Sequence, residues 1–363
     1  MPNLSTNQSA GQLLVVGFPA GDPPSDLMEL SGRGELGGFI LFRRNLGTPA
    51  EVARLTSLLH ESSPADFPPF VGVDQEGGRV ARLGSPVLRL PPMRVLGDLD
   101  DVALTERCAV LLGRQLRILG FNLDFAPVLD VDTNPANPVI GDRSFGREPA
   151  RVIAHARAFA RGLASAHVIA CGKHFPGHGD TLEDSHLALP RVQHALERLR
   201  AVELVPFAAL AQELPTLMTA HVVFDAIDPA LPATLSRAAI DGLLRQQLGY
   251  TGLVWSDDLE MKAISERYGI GDAAVRAIEA GCDAVLVCAE PKHALEAHAA
   301  LCERAARDAA FAARVRASAE KSLALRLAHR VLPRHPTAVA AELVAEQPER
   351  IEQEIASRTA SGG

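Results

Sequence analysis

Reactive side chains are densest between Lys173 and His186, in Lys173-His174-Phe175-Pro176-Gly177-His178-Gly179-Asp180-Thr181-Leu182-Glu183-Asp184-Ser185-His186. Pro176, Gly177 and Gly179 rule out a regular helix, so the stretch reads as a loop leaving the fifth strand. Imidazoles and carboxylates in one loop suit two chemistries. His174, His178 and His186 with Asp180 or Asp184 are the right donors for a divalent metal. The Pro-Gly between His174 and His178 removes the helical geometry that would make this spacing a zinc site. The other chemistry is proton transfer. Asp184 and His186 are one residue apart, so in an extended segment their side chains point the same way. A carboxylate beside an imidazole orients the ring and favours its protonated form. Such a histidine donates a proton to a leaving group and later takes one from water. This reading needs neither metal nor cofactor.

Proton transfer needs a partner elsewhere in the chain, and Asp257 is the candidate. It lies in Trp255-Ser256-Asp257-Asp258-Leu259-Glu260-Met261, at the end of an apolar run. Trp255 and Asp257 share a face of an extended chain, whereas Asp258, the next candidate, faces the other way. Ser256, Asp257 or Asp258 could instead cap the helix that follows, and capping by Asp258 is compatible with catalysis by Asp257. Other polar residues close similar runs: Arg43, Asp74, Asp130, Lys173, His174 and His221. His221 reads either as a support for the site or as a hydrogen-bonded core histidine. Asp74 at a strand end could equally cap a helix.

The elements that must carry these residues are legible from hydrophobic pattern. Eight short apolar runs recur: Leu13–Gly17, Gly38–Phe42, Phe70–Val73, Leu123–Val128, Val168–Cys171, Thr216–Thr219, Gly252–Trp255 and Asp283–Cys288. Their near-continuous apolarity fits strands buried on both faces. Helical periodicity fills the segments between them, as in Leu104–Leu119, Arg151–Ala166, Ala195–Gln212 and Ala273–Ala280. The alternation predicts a parallel α/β fold, either a doubly wound sheet or a (β/α)8 TIM barrel. Charged residues after many different strands favour the barrel, because all its βα loops converge on one face. An open sheet would gather them at one switch point. The expected organisation is one catalytic domain over residues 1–335. Residues 336–363 should add a helix at Ala338–Glu346 and a flexible tail.

Composition excludes several partners. The 363 residues are 47% hydrophobic and only 4% aromatic, with a net charge of −8 and a mean hydropathy of +0.08. Scarce rings argue against a stacking surface for single strands or long polysaccharides, and an acidic chain makes a poor phosphate-backbone binder. No nucleic acid is expected. No apolar run approaches the roughly 20 residues of a membrane span, and Met1–Gly11 lacks a basic segment followed by an apolar one. Cys108, Cys171, Cys282, Cys288 and Cys302 are an odd, unclustered set that reads as buried apolar residues in a reducing compartment. A cytoplasmic monomer without a membrane partner is expected.

Lys173-His174-Phe175-Pro176-Gly177-His178-Gly179 followed by Asp184-Ser185-His186 closely resembles the signature of glycoside hydrolase family 3, in its β-N-acetylglucosaminidase branch of peptidoglycan recycling. Gly72-Val73-Asp74-Gln75-Glu76-Gly77-Gly78-Arg79-Val80-Ala81-Arg82 and Asp142-Arg143-Ser144-Phe145-Gly146 resemble its substrate-binding segments, and Ser256-Asp257-Asp258-Leu259 its nucleophile segment. The resemblance spans roughly residues 10–335. It implies a single-domain retaining hydrolase acting on terminal β-linked N-acetylglucosamine of muropeptides or chito-oligosaccharides. Asp257 would be the nucleophile and His186, paired with Asp184, the acid/base in place of a second carboxylate. Asp74, Arg82, Arg143, Lys173 and His174 would hold the sugar, although Arg82 and Arg143 also fit structural ion pairs at the rim. Trp255 would form an apolar wall of the pocket. The alternatives are phosphorolysis at the same site, a β-glucosidase of the same family, and a metal-dependent hydrolase built on the histidine loop.

Overall fold

The computed structural model describes residues 2–183, 185, 189–332 and 335–361. Eight parallel strands close into a barrel: β1 Leu14–Val16, β2 Gly38–Leu41, β3 Phe70–Val73, β4 Leu123–Asp124, β5 Ile169–Phe175, β6 Thr216–Thr219, β7 Leu253–Asp258 and β8 Ala284–Val287. Each strand pairs with its neighbours in sequence, and β8 returns to β1 with Val285 opposite Leu14. Every predicted apolar run holds one of these strands, so the expected barrel stands and the doubly wound sheet does not. β5 runs further than its apolar residues suggest. Lys173, His174 and Phe175 are still strand, with Val128 bridged to Lys173. The loop therefore begins at Pro176, which has no N–H to continue the ladder.

Helices return the chain between strands, and their ends follow from local chemistry. Pro49–Glu61 begins at Thr48, whose hydroxyl accepts from Glu51 N–H while the Glu51 carboxylate accepts from Thr48 N–H at 2.7 Å. Asp101 caps Val102–Ile118 through Leu104 N–H at 2.9 Å. The single helix expected over Ala195–Gln212 is two, Leu196–Ala201 and Val205–Leu210. Pro206 accounts for the break, since proline is tolerated in a first turn and not in a helix interior. The C-terminal helix runs Pro336–Ala345 and buries Val339 and Leu343. Beyond it, where a flexible tail was expected, Glu349–Ser361 forms a further helix. Arg89 pairs with Glu352 at 3.0 Å, Arg107 with Glu354 at 2.5 Å and Arg358 with Asp101 at 2.5 Å. Among the described residues, no helix is long and apolar enough to cross a membrane.

The barrel interior is a packed core. Val15, Ile40, Phe70, Phe125, Ile169, Cys171, Met218, Trp255 and Leu286 fill it. Trp255 meets Phe70 and Phe125 edge-on, with ring centroids 5.1 and 5.7 Å apart. It therefore plugs the barrel below the catalytic face and forms no wall of the pocket. The opposite end is closed by Arg326, fully buried on the helix Ala309–Ala328. Its guanidinium donates to the carbonyls of Gly37 and Pro68 at 3.0 Å each and to Gln12 Oε1, and its Cζ lies 5.1 Å from the Phe70 ring centroid.

Arg326→Met keeps the apolar stem and orphans these buried acceptors, each a desolvated group without a donor. The expected loss is about 3 kcal/mol of stability in urea unfolding. An unchanged midpoint would show that Arg326 does not brace the barrel.

Candidate active site

A cavity opens over the C-terminal ends of the strands. It is lined by Asp74, Glu76, Arg82, Arg143, Lys173, His174, His178, Ser185, Asp257 and Asp258, with Ile40, Phe42, Met218, Met261, Leu286 and Cys288 among its apolar walls. The strand ends deliver these residues to one place, as a (β/α)8 barrel requires.

Its floor is a network of buried charges. Lys173, on β5, places Nζ 2.8 Å from Asp74 Oδ1 and 2.6 Å from Glu76 Oε1. Arg143 grips Glu76 with two parallel bonds, Nε to Oε2 at 2.9 Å and Nη2 to Oε1 at 2.8 Å. Burial pushes the Glu76 carboxyl up, but the charges of Arg143 and Lys173 outweigh it and hold the group well below the usual carboxylate range. Burial likewise pulls the Lys173 ammonium down, and Asp74 and Glu76 more than restore it, so its pKa is raised. Arg82 Nη2 reaches Asp74 Oδ2 at 3.4 Å, while Arg82 Nε is buried with no acceptor among the described residues. The Arg82 backbone is set by Gln75, whose Oε1 accepts from Arg82 N–H at 2.8 Å and Leu83 N–H at 3.0 Å.

A second cluster orients the histidines. His174 Nδ1 lies 2.7 Å from Asp130 Oδ2, and Asp130 Oδ1 accepts from His178 N–H at 2.7 Å. Burial pushes the Asp130 carboxyl up, but the adjacent His174 and His178 bring it below its ordinary value. Both ring nitrogens of His178 are engaged, Nδ1 with Thr181 Oγ1 at 2.8 Å and Nε2 with Ser185 Oγ at 3.0 Å. Burial lowers the His178 pKa to about 4, so the ring is neutral near neutral pH. With its nitrogens spent, His178 makes a poor metal ligand. Among the described residues, no group of three or more His, Cys, Asp or Glu is arranged to hold a metal ion.

β7 ends in a register irregularity between Trp255 and Asp258 against β8. An irregularity of this kind re-aims side chains, and here Asp257 and Asp258 both line the cavity instead of facing opposite ways. Asp258 does not cap the next helix, which starts only at Lys262. Its Oδ1 accepts from Glu260 N–H at 3.0 Å and Cys288 N–H at 3.2 Å, tying β7 to β8. Asp257 Oδ1 accepts from Asp258 N–H at 2.8 Å. His221 supports this corner, with Nε2 2.9 Å from the Asp258 carbonyl and Nδ1 2.8 Å from Thr234 Oγ1.

The cavity thus gathers Asp74, Arg82, Arg143, Lys173, His174 and Asp257, whereas Asp184 and His186 lie outside the described residues. Two contributors were not singled out from sequence. Glu76 stands two residues from Asp74, the spacing that puts both on one face, which was the available signal. Asp130 was visible only as one more charged strand end.

A cavity of acids, cations and imidazoles at the C-terminal face of a (β/α)8 barrel has the form of an enzyme site for a polar substrate. The profile of the glycosyl hydrolase family 3 N-terminal domain matches residues 5–322. A β-hexosaminidase of Pseudomonas aeruginosa is 43% identical over 271 residues, covering 74% of this chain and 79% of its own. The solved family 3 β-N-acetylglucosaminidase of Paenibacillus sp. FPU-7 superposes with a TM-score of 0.86 at 41% identity, over 95% of this chain and 69% of its own. NagZ of Neisseria gonorrhoeae, solved with N-trifluoroacetyl-D-glucosamine, gives a TM-score of 0.72 at 31% identity, over 93% and 98%. The chain belongs to glycoside hydrolase family 3, among its β-hexosaminidases. It is a glycoside hydrolase with a small carbohydrate substrate.

Asp258 supplies a pH prediction. Burial, aided by the nearby charges of Glu260 and Asp257, raises its pKa to about 7 from 3.8. Between those values the unfolded chain has released a proton that the folded protein keeps, so this group makes stability fall as pH rises from about 4 to about 7. Asp258→Asn should remove that slope in urea unfolding at pH 5 and pH 8. An undiminished slope in the variant would assign it to another group.

Proposed function

We propose that the protein is a retaining, exo-acting β-N-acetylglucosaminidase that removes terminal non-reducing N-acetylglucosamine from peptidoglycan fragments or chito-oligosaccharides. The observation that carries this reading is the placement of Asp257 at the rim of the same cavity as the Asp74, Arg82, Arg143, Lys173 and His174 set. Those five groups offer carboxylate acceptors and cationic or imidazole donors together, the complement of a sugar's vicinal hydroxyls. A cavity with one acidic edge and few aromatic walls suits one terminal ring better than a long chain of sugars.

In this mechanism Asp257 attacks the anomeric carbon, forming a bond to C1 as the bond to the leaving oxygen breaks. His186, oriented by Asp184, gives its proton to that oxygen. The neutral imidazole then takes a proton from water, which attacks C1 and releases Asp257 with retention of configuration. His174, aligned by Asp130, and Lys173, aligned by Asp74 and Glu76, hold the ring hydroxyls in fixed positions before reaction, which lowers the entropic cost of the transition state. The support for the N-acetyl preference is the β-hexosaminidase relatives and the N-trifluoroacetyl-glucosamine found in the gonococcal structure. Hydrolysis and phosphorolysis are separated by running the reaction in phosphate buffer, where hydrolysis gives free sugar and no sugar 1-phosphate.

Asp257→Ala removes the nucleophile and should lower kcat/KM on a 4-nitrophenyl N-acetylglucosaminide by about 10⁴-fold or more. Turnover within tenfold of the parent would contradict the assignment.

A further inference from the structure

Glu260 takes no part in the mechanism above, yet both of its carboxylate oxygens are engaged by the protein. The side chain is 9% exposed and reaches from the exit of β7 to the start of Pro291–Arg307, the helix that follows β8. There Oε2 accepts from Ala289 N–H at 2.5 Å, while Oε1 accepts from Glu290 N–H at 3.1 Å and from His293 Nδ1 at 2.6 Å. The helix needs such an acceptor. Its N-cap, Glu290, makes no capping bond with its own side chain, and amides at a helix start lack intrahelical partners. The positive end of a 17-residue helix also favours a carboxylate.

The same residue is tied back toward the reacting group. Glu260 N–H donates to Asp258 Oδ1, which also accepts from Cys288 N–H, and Leu259 N–H donates to the Leu286 carbonyl at 3.0 Å. The exit of β7 is thus stitched to the exit of β8 at Asp258, Leu259 and Glu260 in turn, and Asp257 joins this seam by accepting Asp258 N–H. The strand ladder cannot fix this stretch alone, because the register irregularity between Trp255 and Asp258 interrupts it. We propose that Glu260 is a positioning residue for Asp257: by anchoring the β7 exit to the helix after β8, it sets where the Asp257 carboxylate stands in the cavity. Asp74, Arg82, Arg143, Lys173 and His174 come from β5 and from the segments after β3 and β4, on the other side of the barrel. Holding the sugar and placing the attacking carboxylate are therefore tasks of separate parts of the fold.

The proposal rests on Asp257 being the nucleophile, and its test keeps the two claims apart. A displaced nucleophile slows attack without loosening the grip on the sugar. Glu260→Ala should therefore lower kcat on a 4-nitrophenyl N-acetylglucosaminide by about 10- to 100-fold, the scale of a 1 Å misplacement. The inhibition constant of N-acetylglucosamine should stay within about threefold of the parent, because its binding groups are untouched. Loss of the whole cavity would weaken both, and circular dichroism at the assay temperature shows whether the variant is folded. Where Glu260→Ala does not fold, His293→Ala removes one donor, leaves both amides in place, and should show the same split at about 3- to 10-fold. In the folded variant, a kcat within about threefold of the parent, or an inhibition constant that weakens in step with kcat, would overturn the clamp. The nucleophile assignment would still stand if Asp257→Ala had lost its turnover. If Asp257→Ala keeps turnover within about tenfold, the nucleophile assignment fails and the clamp with it.

Discussion

The site depends on burying Asp74, Glu76, Lys173 and Arg143 together. Glu76 and Lys173 are buried at the top of the barrel and Asp74 and Arg143 largely so, and their desolvation is offset only while all four remain in register. Lys173 contacts both carboxylates, and Arg143 closes on Glu76 in fork geometry. Removing any one member leaves an uncompensated buried charge, whereas the complete set contributes little net stability. What it supplies is preorganisation. In the proposed function, donors and acceptors are already aligned by their own electrostatics before a sugar arrives, so binding does not have to order them. This constraint reaches back into the fold. It needs the hairpin after β3, the loop after β4 and the last residues of β5 to converge within a few ångströms, which a closed parallel barrel does and an open sheet would not.

Around that network the structure uses backbone irregularity and shared anchors. The register shift in β7 turns two successive aspartates into the cavity, and His221 steadies the carbonyl at that bend. Their chemical environments differ. Asp258 is tied to the amides of Glu260 and Cys288 and has its pKa raised, while Asp257 Oδ1 accepts from the Asp258 amide. Asp130 performs the equivalent task on the other side by serving His174 and His178 with one carboxylate. Two neighbouring carboxylates in one cavity suit the proposed division of labour, in which Asp257 attacks and Asp258 ties the strand end in place.

Much of this was legible in the chain. All eight strands were visible because strands buried on both faces must be apolar throughout, and the strand-end charges pointed to the barrel. Asp74, Arg82, Arg143, Lys173, His174 and Asp257 were each named from sequence, and one cavity holds them. What escaped depends on geometry that pattern does not encode. Asp258 looked outward by strand alternation, which a local register shift cancels. Trp255 was expected to wall the pocket because it shares a face with Asp257, but that face runs from packed core to open cavity within two residues. Glu76 and Asp130 look like ordinary loop or strand-end acids until the partners arriving from other strands are known. The C-terminal Glu349–Ser361 helix is held by ion pairs to Arg89, Arg107 and Asp101, distant in sequence, so its own weak apolar pattern resembled a tail.

The central claim is attack by Asp257 through a covalent glycosyl-enzyme, and stereochemistry reads it directly. Time-resolved proton NMR of an N,N′-diacetylchitobiose or aryl N-acetylglucosaminide digest follows the anomeric signal of the released sugar before mutarotation. Double displacement at Asp257 predicts that β-N-acetylglucosamine appears first and the α-anomer only later. First appearance of the α-anomer would mean a single displacement by water and would contradict the account.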